Sequence, residues 1–195
     1  NRHVSVELED GNGGRELGSE RGRTRRTIAI VIGAIAFSIA LVFFPVWHFE
    51  FIDYDTYVQV LWNPHIRGLT GANIKHVLTT RCVSSYYPVR TLSYAVDCQI
   101  WGLHPGGFKL TNVAIHAWNA LLVLWLTWRR LRTGEKAGSR RQKRWMVFAS
   151  AMSAGIFGLH PVVVEPVVWV PGREELLMTL GALGTFHCHL SAWLQ

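Results

Sequence analysis

The sequence predicts an all-α fold: a multi-pass transmembrane helical bundle with a folded outer loop that contains short amphipathic helices. Three observations carry this. Apolar residues make up 49% of the chain and charged residues 17%, and the mean hydropathy is positive. The charges fall in blocks, separated by uncharged runs long enough to cross a bilayer as helices, whereas each helix of a soluble domain keeps one polar face. The basic residues sit at the ends of the apolar runs, where membrane anchors are expected. The net charge of +7 therefore reads as membrane topology rather than as a nucleic-acid footprint. The sequence begins at Asn1 and ends at Gln195 inside an apolar run, so it is expected to be the amino-terminal part of a longer protein.

Residues 1–26 are rich in Gly, Glu and Arg without hydrophobic periodicity; they read as a disordered cytoplasmic tail. Residues 27–47, TIAIVIGAIAFSIALVFFPVW, are uncharged and form the first transmembrane helix. The run is too long for a signal-peptide core and lacks a small-x-small cleavage site. Residues 48–107 are too polar to span and too aromatic to be disordered, and form the outer loop. Residues 108–128 form the second transmembrane helix. On it Asn112, His116 and Asn119 follow at spacings of four and three, which puts them on one face. Lipid cannot satisfy these groups, so that face is expected to point into a bundle. Residues 129–144 are a basic cytoplasmic loop, 145–160 the third transmembrane helix, 161–175 a second outer loop, and 176–195 the truncated start of a fourth transmembrane helix.

Lys and Arg number six in the tail and eight in 129–144, against four in 48–107 and one in 161–175. The positive-inside rule then places both outer loops on the same face, periplasmic or lumenal.

Three groups of residues in those loops suit chemistry. Glu50, Asp53 and Asp55 follow the first span; the i, i+2 pair Asp53 and Asp55 suits either a divalent cation such as Mg or Mn, a general base for a hydroxyl, or an acidic cap on a helix. In the second loop, His160, Pro161 and Glu165 precede Arg173, Glu174 and Glu175. Arg173 offers a multi-donor fork for a phosphate; the alternative is interfacial anchoring, with the acids opening the fourth span. The third group is Tyr86-Tyr87-Pro88-Val89-Arg90 with Asp97, which reads equally as an amphipathic helix whose Arg90 snorkels. Cys82 and Cys98 share an outer loop where a disulfide is permitted, and Cys188 is expected as a buried free thiol. His187 and His189 point to different helix faces and lack zinc-site spacing. Phosphate-loop, dinucleotide-fold, nucleophile-elbow and HExxH signatures are absent from the sequence.

The order of these segments resembles a known family. It runs F-I-D-Y-D-T-Y-V from Phe51, then Y-P-V-R-T-L-S-Y-A-V-D-C from Tyr87, W-G-L-H-P-G-G-F-K-L-T-N from Trp101, and G-L-H-P-V-V-V-E-P-V-V-W-V-P-G-R-E-E-L-L from Gly158. This resembles the C-type-fold membrane glycosyltransferases, specifically the transmembrane and tetratricopeptide-repeat-containing O-mannosyltransferases and their bacterial relatives, over about Phe51 to Leu177. The resemblance implies sugar transfer from a polyprenyl-phosphate-linked donor to a protein or glycan acceptor at the outer membrane face, with tetratricopeptide repeats beyond the spans. It implies Asp55, with Asp53, as catalytic base or metal-linked acid; Arg173 and Arg90 as holders of the donor phosphate; and His160, Glu165 and Glu175 as residues that order the second loop. The family's first-loop acids commonly read Asn-Tyr-Asp-Asp; here Asp53 replaces the Asn and Thr56 the second acid. Thr56 is the feature that favours the competing reading, a non-catalytic membrane scaffold that binds partners. The bilayer is either a bacterial inner or plasma membrane or the endoplasmic reticulum membrane, and no nucleic acid is implied.

Overall fold

The computed structural model describes residues 2–52, 54–81, 86–133 and 139–193. All regular elements among them are helical. Helix α1 spans Arg2–Phe43 and ends where Pro45 enters a 3-10 turn, Phe44–His48, because proline cannot donate the next helical hydrogen bond. A single-turn α2, Tyr54–Thr56, leads into a π-helical turn, Tyr57–Leu61, and a 3-10 turn, Pro64–Ile66. Helix α3, Gly71–Thr79, is capped by Thr70, whose hydroxyl accepts from the Asn73 N–H at 3.2 Å. Helix α4, Pro88–Trp101, and helix α5, Pro105–Arg132, each begin on a proline, as the first turn favours. The corner between them is Gly102 at φ +63°, a conformation natural to glycine. Helix α6 is Arg140–Leu159; after a 3-10 turn, Pro161–Val163, come α7, Val164–Val168, a second 3-10 turn, Val170–Gly172, and α8, Arg173–Trp193.

Helix α5 is the hub, packed against α1, α6, α7 and α8. The main core joins Ile35, Ile39 and Phe43 of α1 to Val113, Ala120 and Leu124 of α5, Ala154 of α6, Val167 of α7 and Leu176 of α8. A second core, Val60, Ile66, Tyr94, Ala95, Phe108 and Val170, lies beneath the 48–107 segment. The polar face of α5 points inward as its spacing predicts. Asn112, His116 and Asn119 are all buried; His116 Nε2 lies 3.0 Å from the Gly158 carbonyl, and the Asn119 amide donates to the Leu176 carbonyl at 2.9 Å. Outward, large apolar side chains are bare, among them Phe37 at 68% and Ile156 at 60% exposure. Such a belt is what a helix facing lipid shows.

Two helices are long and apolar enough to cross a membrane, Gly22–His48 and Pro105–Arg132. The third expected span passes that test only as a pair, Arg140–Leu159 with Pro161–Val168, bent by 46°. His160, forced extended by the following proline, makes the break. Helix α8, expected as a fourth span, is not among the helices that pass.

Several expectations are corrected. Helix α1 reaches back to Arg2, through the stretch expected as a disordered tail. The basic loop 129–144 shrinks because α5 runs on to Arg132 and α6 starts at Arg140. The segment 161–175, read as a loop, is mostly helical turns. Cys188 is exposed, not buried. Cys98 carries no disulfide, and Cys82 lies outside the described residues.

Candidate functional site

The segments singled out in the sequence converge at one end of α5. Helix α4 lies there against α5 and α8, and α2 lies against the Val170–Gly172 turn. At the centre is Arg173, the first residue of α8, fully buried. Its Nη2 stands 2.5 Å from Asp97 Oδ2 and donates to the Phe108 carbonyl at 2.7 Å. Its Nε donates to Asn112 Oδ1 at 2.7 Å, and its Nη1 to Ser93 Oγ at 3.1 Å. The guanidinium also lies 4.7 Å from the Tyr94 ring centroid. One side chain thereby ties α4, α5 and α8 together.

The surrounding groups complete the network. Asp97 Oδ1 accepts from the Thr111 hydroxyl at 2.7 Å. The Asn112 amide reaches the Trp169 carbonyl at 3.2 Å, and the Tyr94 hydroxyl donates to the Val170 carbonyl at 2.9 Å. Burial pushes the Tyr94 phenol up to about 12, so it stays a neutral donor. Burial also raises the Asp97 carboxyl above its ordinary value, with Arg173 and then Thr111 pulling it back. Arg90 is buried, paired with Glu174 and stacked 4.6 Å from the Tyr87 ring centroid.

The two arginines expected to hold the donor phosphate both lie inside this network. Arg173 and Arg90 are interior groups engaged by Asp97, Asn112, Ser93 and Glu174. Of the residues expected to order the second loop, His160 accepts at Nδ1 from the Val162 N–H at 3.2 Å. Glu165 and Glu175 are exposed.

Asp55 is exposed in the first turn of α2, directly beside the turn that Arg173 anchors. Asp53 lies outside the described residues, so the carboxylate pair and its cation site are seen only through Asp55. Among the described residues no group of three or more His, Cys, Asp or Glu is placed to hold a metal. Thr56 is fully buried, and its hydroxyl donates to the Ile52 carbonyl at 2.8 Å. The position where the resemblance leads one to expect a second acid is therefore an interior one.

Two features escaped the sequence reading. Lys109, in the second turn of α5, is 1% exposed and donates to the Phe49 and Glu50 carbonyls at 3.0 and 2.6 Å. It pins the chain entering the acidic segment. An isolated cation at the start of an apolar helix was the available signal, since such a charge must find partners. The second is a cavity of about 70 Å³ lined by His65, His76, Thr80, Arg81 and Tyr87. Within it the rings of His65 and His76 stack with centroids 3.5 Å apart. These histidines come from separate turns, and no spacing rule joins them.

The comparisons agree with the motif order. The chain is 28% identical over 134 residues, 68% of its length, to protein O-mannosyl-transferase TMTC4 of Mus musculus. It is 31% identical over 107 residues, 54% of its length, to protein O-mannosyl-transferase F38B6.6 of Caenorhabditis elegans. It is 29% identical over 106 residues to protein O-mannosyl-transferase TMTC2 of Homo sapiens. No protein-family model matches the chain, and no solved structure matches it significantly. The matched stretches cover 17%, 14% and 11% of these three relatives, so the chain corresponds to a small part of their length. Within that part its resemblance holds: the chain is similar to the transmembrane protein O-mannosyl-transferases of animals.

Proposed function

We propose that this chain is the membrane-embedded front of a glycosyltransferase that moves a mannose from a polyprenyl-phosphate donor to a protein hydroxyl at the outer face of the membrane. The observation that carries the reading is the placement of Asp55. Its exposed carboxylate sits on α2, and α2 rests on the Val170–Gly172 turn held by Arg173. The relatives named as protein O-mannosyl-transferases support the reaction class.

In this proposal Asp55, with Asp53, takes the proton from the acceptor hydroxyl as oxygen attacks the sugar carbon and the lipid phosphate leaves. A divalent cation held by the same acids would steady that leaving phosphate. Asp55 is open to such an ion, and among the described residues no group of three or more His, Cys, Asp or Glu encloses one, so water and phosphate oxygens would complete its ligands. Since Arg173 and Arg90 are interior, the donor phosphate falls to cations that face open space, with Arg81 beside His65 and His76 the foremost. Tetratricopeptide repeats following the spans would present the acceptor.

The test is transfer of radiolabelled mannose from the lipid phosphate by the full-length protein in membranes. Asp55→Asn is expected to abolish transfer while membrane insertion is unchanged, and Arg81→Ala to raise the KM for donor. Unchanged transfer by Asp55→Asn would sink the assignment.

A further inference from the structure

The cavity of about 70 Å³ in the 48–107 segment brings two imidazoles and a guanidinium together: His65 from the Pro64–Ile66 turn, His76 from α3, and Arg81 just beyond α3. Both histidines are half-buried and Arg81 is exposed. The two rings lie nearly parallel, 18° apart in plane, with centroids at 3.5 Å. His65 is held from two sides. Its backbone N–H donates to Asn63 Oδ1 at 3.0 Å, and its Nδ1 lies 3.3 Å from Asn73 Oδ1. The Asn73 amide nitrogen donates to the Gly68 carbonyl at 2.9 Å, which orients the amide with its oxygen toward the ring. That oxygen can only accept, so the hydrogen-bond network assigns a proton to Nδ1. In the neutral ring Nε2 is then a bare acceptor.

We propose that this cavity is a proton-coupled phosphodiester site: the His65–His76 pair takes up a proton from water as the singly charged phosphate of a lipid-linked sugar binds between the pair and Arg81. The inference extends the donor-phosphate role given to Arg81 above and rests on that reading. A phosphodiester oxygen accepts hydrogen bonds and offers none. Neutral His65 has spent its one N–H on Asn73, so it meets an anion with a lone pair until Nε2 is protonated. The imidazolium then makes a charge-assisted bond, roughly twice as strong as a neutral one. The stack limits the gain to a single proton, because a second would set like charges face to face. Arg81 adds a permanent charge and a multi-donor fork, and Thr80 and Thr91 line the same cavity. The charged groups of the surrounding elements have other partners or add to the positive field. Arg67 donates to the Leu61 carbonyl, and Lys75 of α3 is exposed. On α4, Arg90 pairs with Glu174 and Asp97 with Arg173, so both of these acids are engaged by arginines. Of the two neighbouring phenols, Tyr86 donates to the Leu78 carbonyl and the Tyr87 ring lies under Arg90.

The experiment is isothermal titration calorimetry of the full-length protein in detergent with dimethyl phosphate, a phosphodiester whose own charge is constant across the range used. Binding is expected to be roughly tenfold tighter at pH about 5.5 than at pH about 7.5, since the charge of an imidazole changes within that interval. Paired titrations in buffers of different ionisation enthalpy should count about one proton taken up per ligand at the higher pH. His65→Gln with His76→Gln is expected to abolish the uptake and flatten the pH dependence. Arg81→Gln should weaken binding by about tenfold or more at both pH values, the loss of a hydrogen bond to a charged group, while proton uptake persists. Circular dichroism verifies that each variant is folded. Binding of equal strength at both pH values, or binding without proton uptake, would overturn the proposal. So would a pH dependence that survives the double histidine variant. Sulfate binding about tenfold more tightly than dimethyl phosphate would overturn it in favour of a free dianion. Sugar transfer plays no part in these titrations. Absent proton uptake beside intact transfer therefore removes this inference alone, whereas unchanged transfer by Asp55→Asn bears on the reaction alone.

Discussion

Asp97 Oδ2 and Arg173 Nη2 stand 2.5 Å apart with the two side chains 3% and 0% exposed, joining α4 to the first turn of α8. Such a pair adds little over a well-packed apolar replacement of both partners, but removing one partner leaves a buried charge uncompensated, at a cost of about 3–5 kcal/mol. Asp97→Asn and Arg173→Met are therefore each expected to lower the unfolding free energy by about that much. Denaturant unfolding of the chain in detergent checks this, and a loss below about 1 kcal/mol in both variants would show that the pair is solvated.

The same pair sets a pH dependence. Burial already lifts the Asp97 carboxyl, and Arg173 is the charge that restrains it. In Arg173→Met the folded value rises further above the unfolded one. A carboxyl of this kind contributes stability that is complete below its unfolded pKa and lost as pH rises through its folded pKa. The deficit of Arg173→Met against the parent should shrink as pH falls from about 7 toward about 4. A deficit that stays constant or grows on acidification contradicts the assignment.

The turn before Arg173 depends on a close approach. A Cβ at Gly172 would lie 2.6 Å from Pro166 Cα and 2.9 Å from its carbonyl oxygen, both backbone atoms that cannot swing away. At Gly158 the nearest atom, at 2.9 Å, is the Cδ1 tip of Ile39, and at Gly184 nothing lies within 4 Å. Gly172→Ala is expected to cost about 1–3 kcal/mol and Gly158→Ala less. Gly184→Ala should be neutral or stabilising by up to about 1 kcal/mol. Melting temperatures of the three variants, ranked in any other order, would argue against this packing.

The inward face of α5 was legible in the sequence, because a membrane helix can place Asn112, His116 and Asn119 nowhere else. The break at Pro161 was legible for the same kind of reason: proline restricts its own backbone and that of its predecessor. The roles of the arginines were not. The sequence marks Arg173 and Arg90 as cations beside acidic and aromatic residues, which suits phosphate binding and internal pairing alike. The partners that decide between these, Asp97 and Glu174, are distant in the chain. Lys109 was hidden likewise, since its acceptors are backbone carbonyls, which every residue carries.

Asn112 and Asn119 share a face but not a function. Asn119 donates one hydrogen bond, to the Leu176 carbonyl, whereas Asn112 both accepts from Arg173 and donates to Trp169. Asn119→Leu should cost about 0.6–1.7 kcal/mol, the range for a single bond between membrane helices. Asn112→Leu should exceed it by about 1–3 kcal/mol, because it also strands a buried guanidinium donor. Equal losses in the two variants would separate Asn112 from the Arg173 network.

Thr56 and Asp55 are neighbours with opposite environments, and that difference yields the sharpest test of the acidic segment. Thr56 is fully buried with its hydroxyl on the Ile52 carbonyl, while Asp55 faces out. Placing an acid here by Thr56→Asp would bury a carboxylate without a partner, which costs several kcal/mol. The variant is expected to lose folded protein, and transfer activity only in proportion. Thr56→Ser keeps the hydroxyl and should change stability by about 1 kcal/mol at most. Asp55→Asn, on the surface, should leave stability within about 0.5 kcal/mol yet abolish transfer. Measuring unfolding and transfer on the same preparations separates the two residues. Enhanced transfer by Thr56→Asp at unchanged stability would mean that position 56 faces the reaction after all and that α2 turns over in the working enzyme.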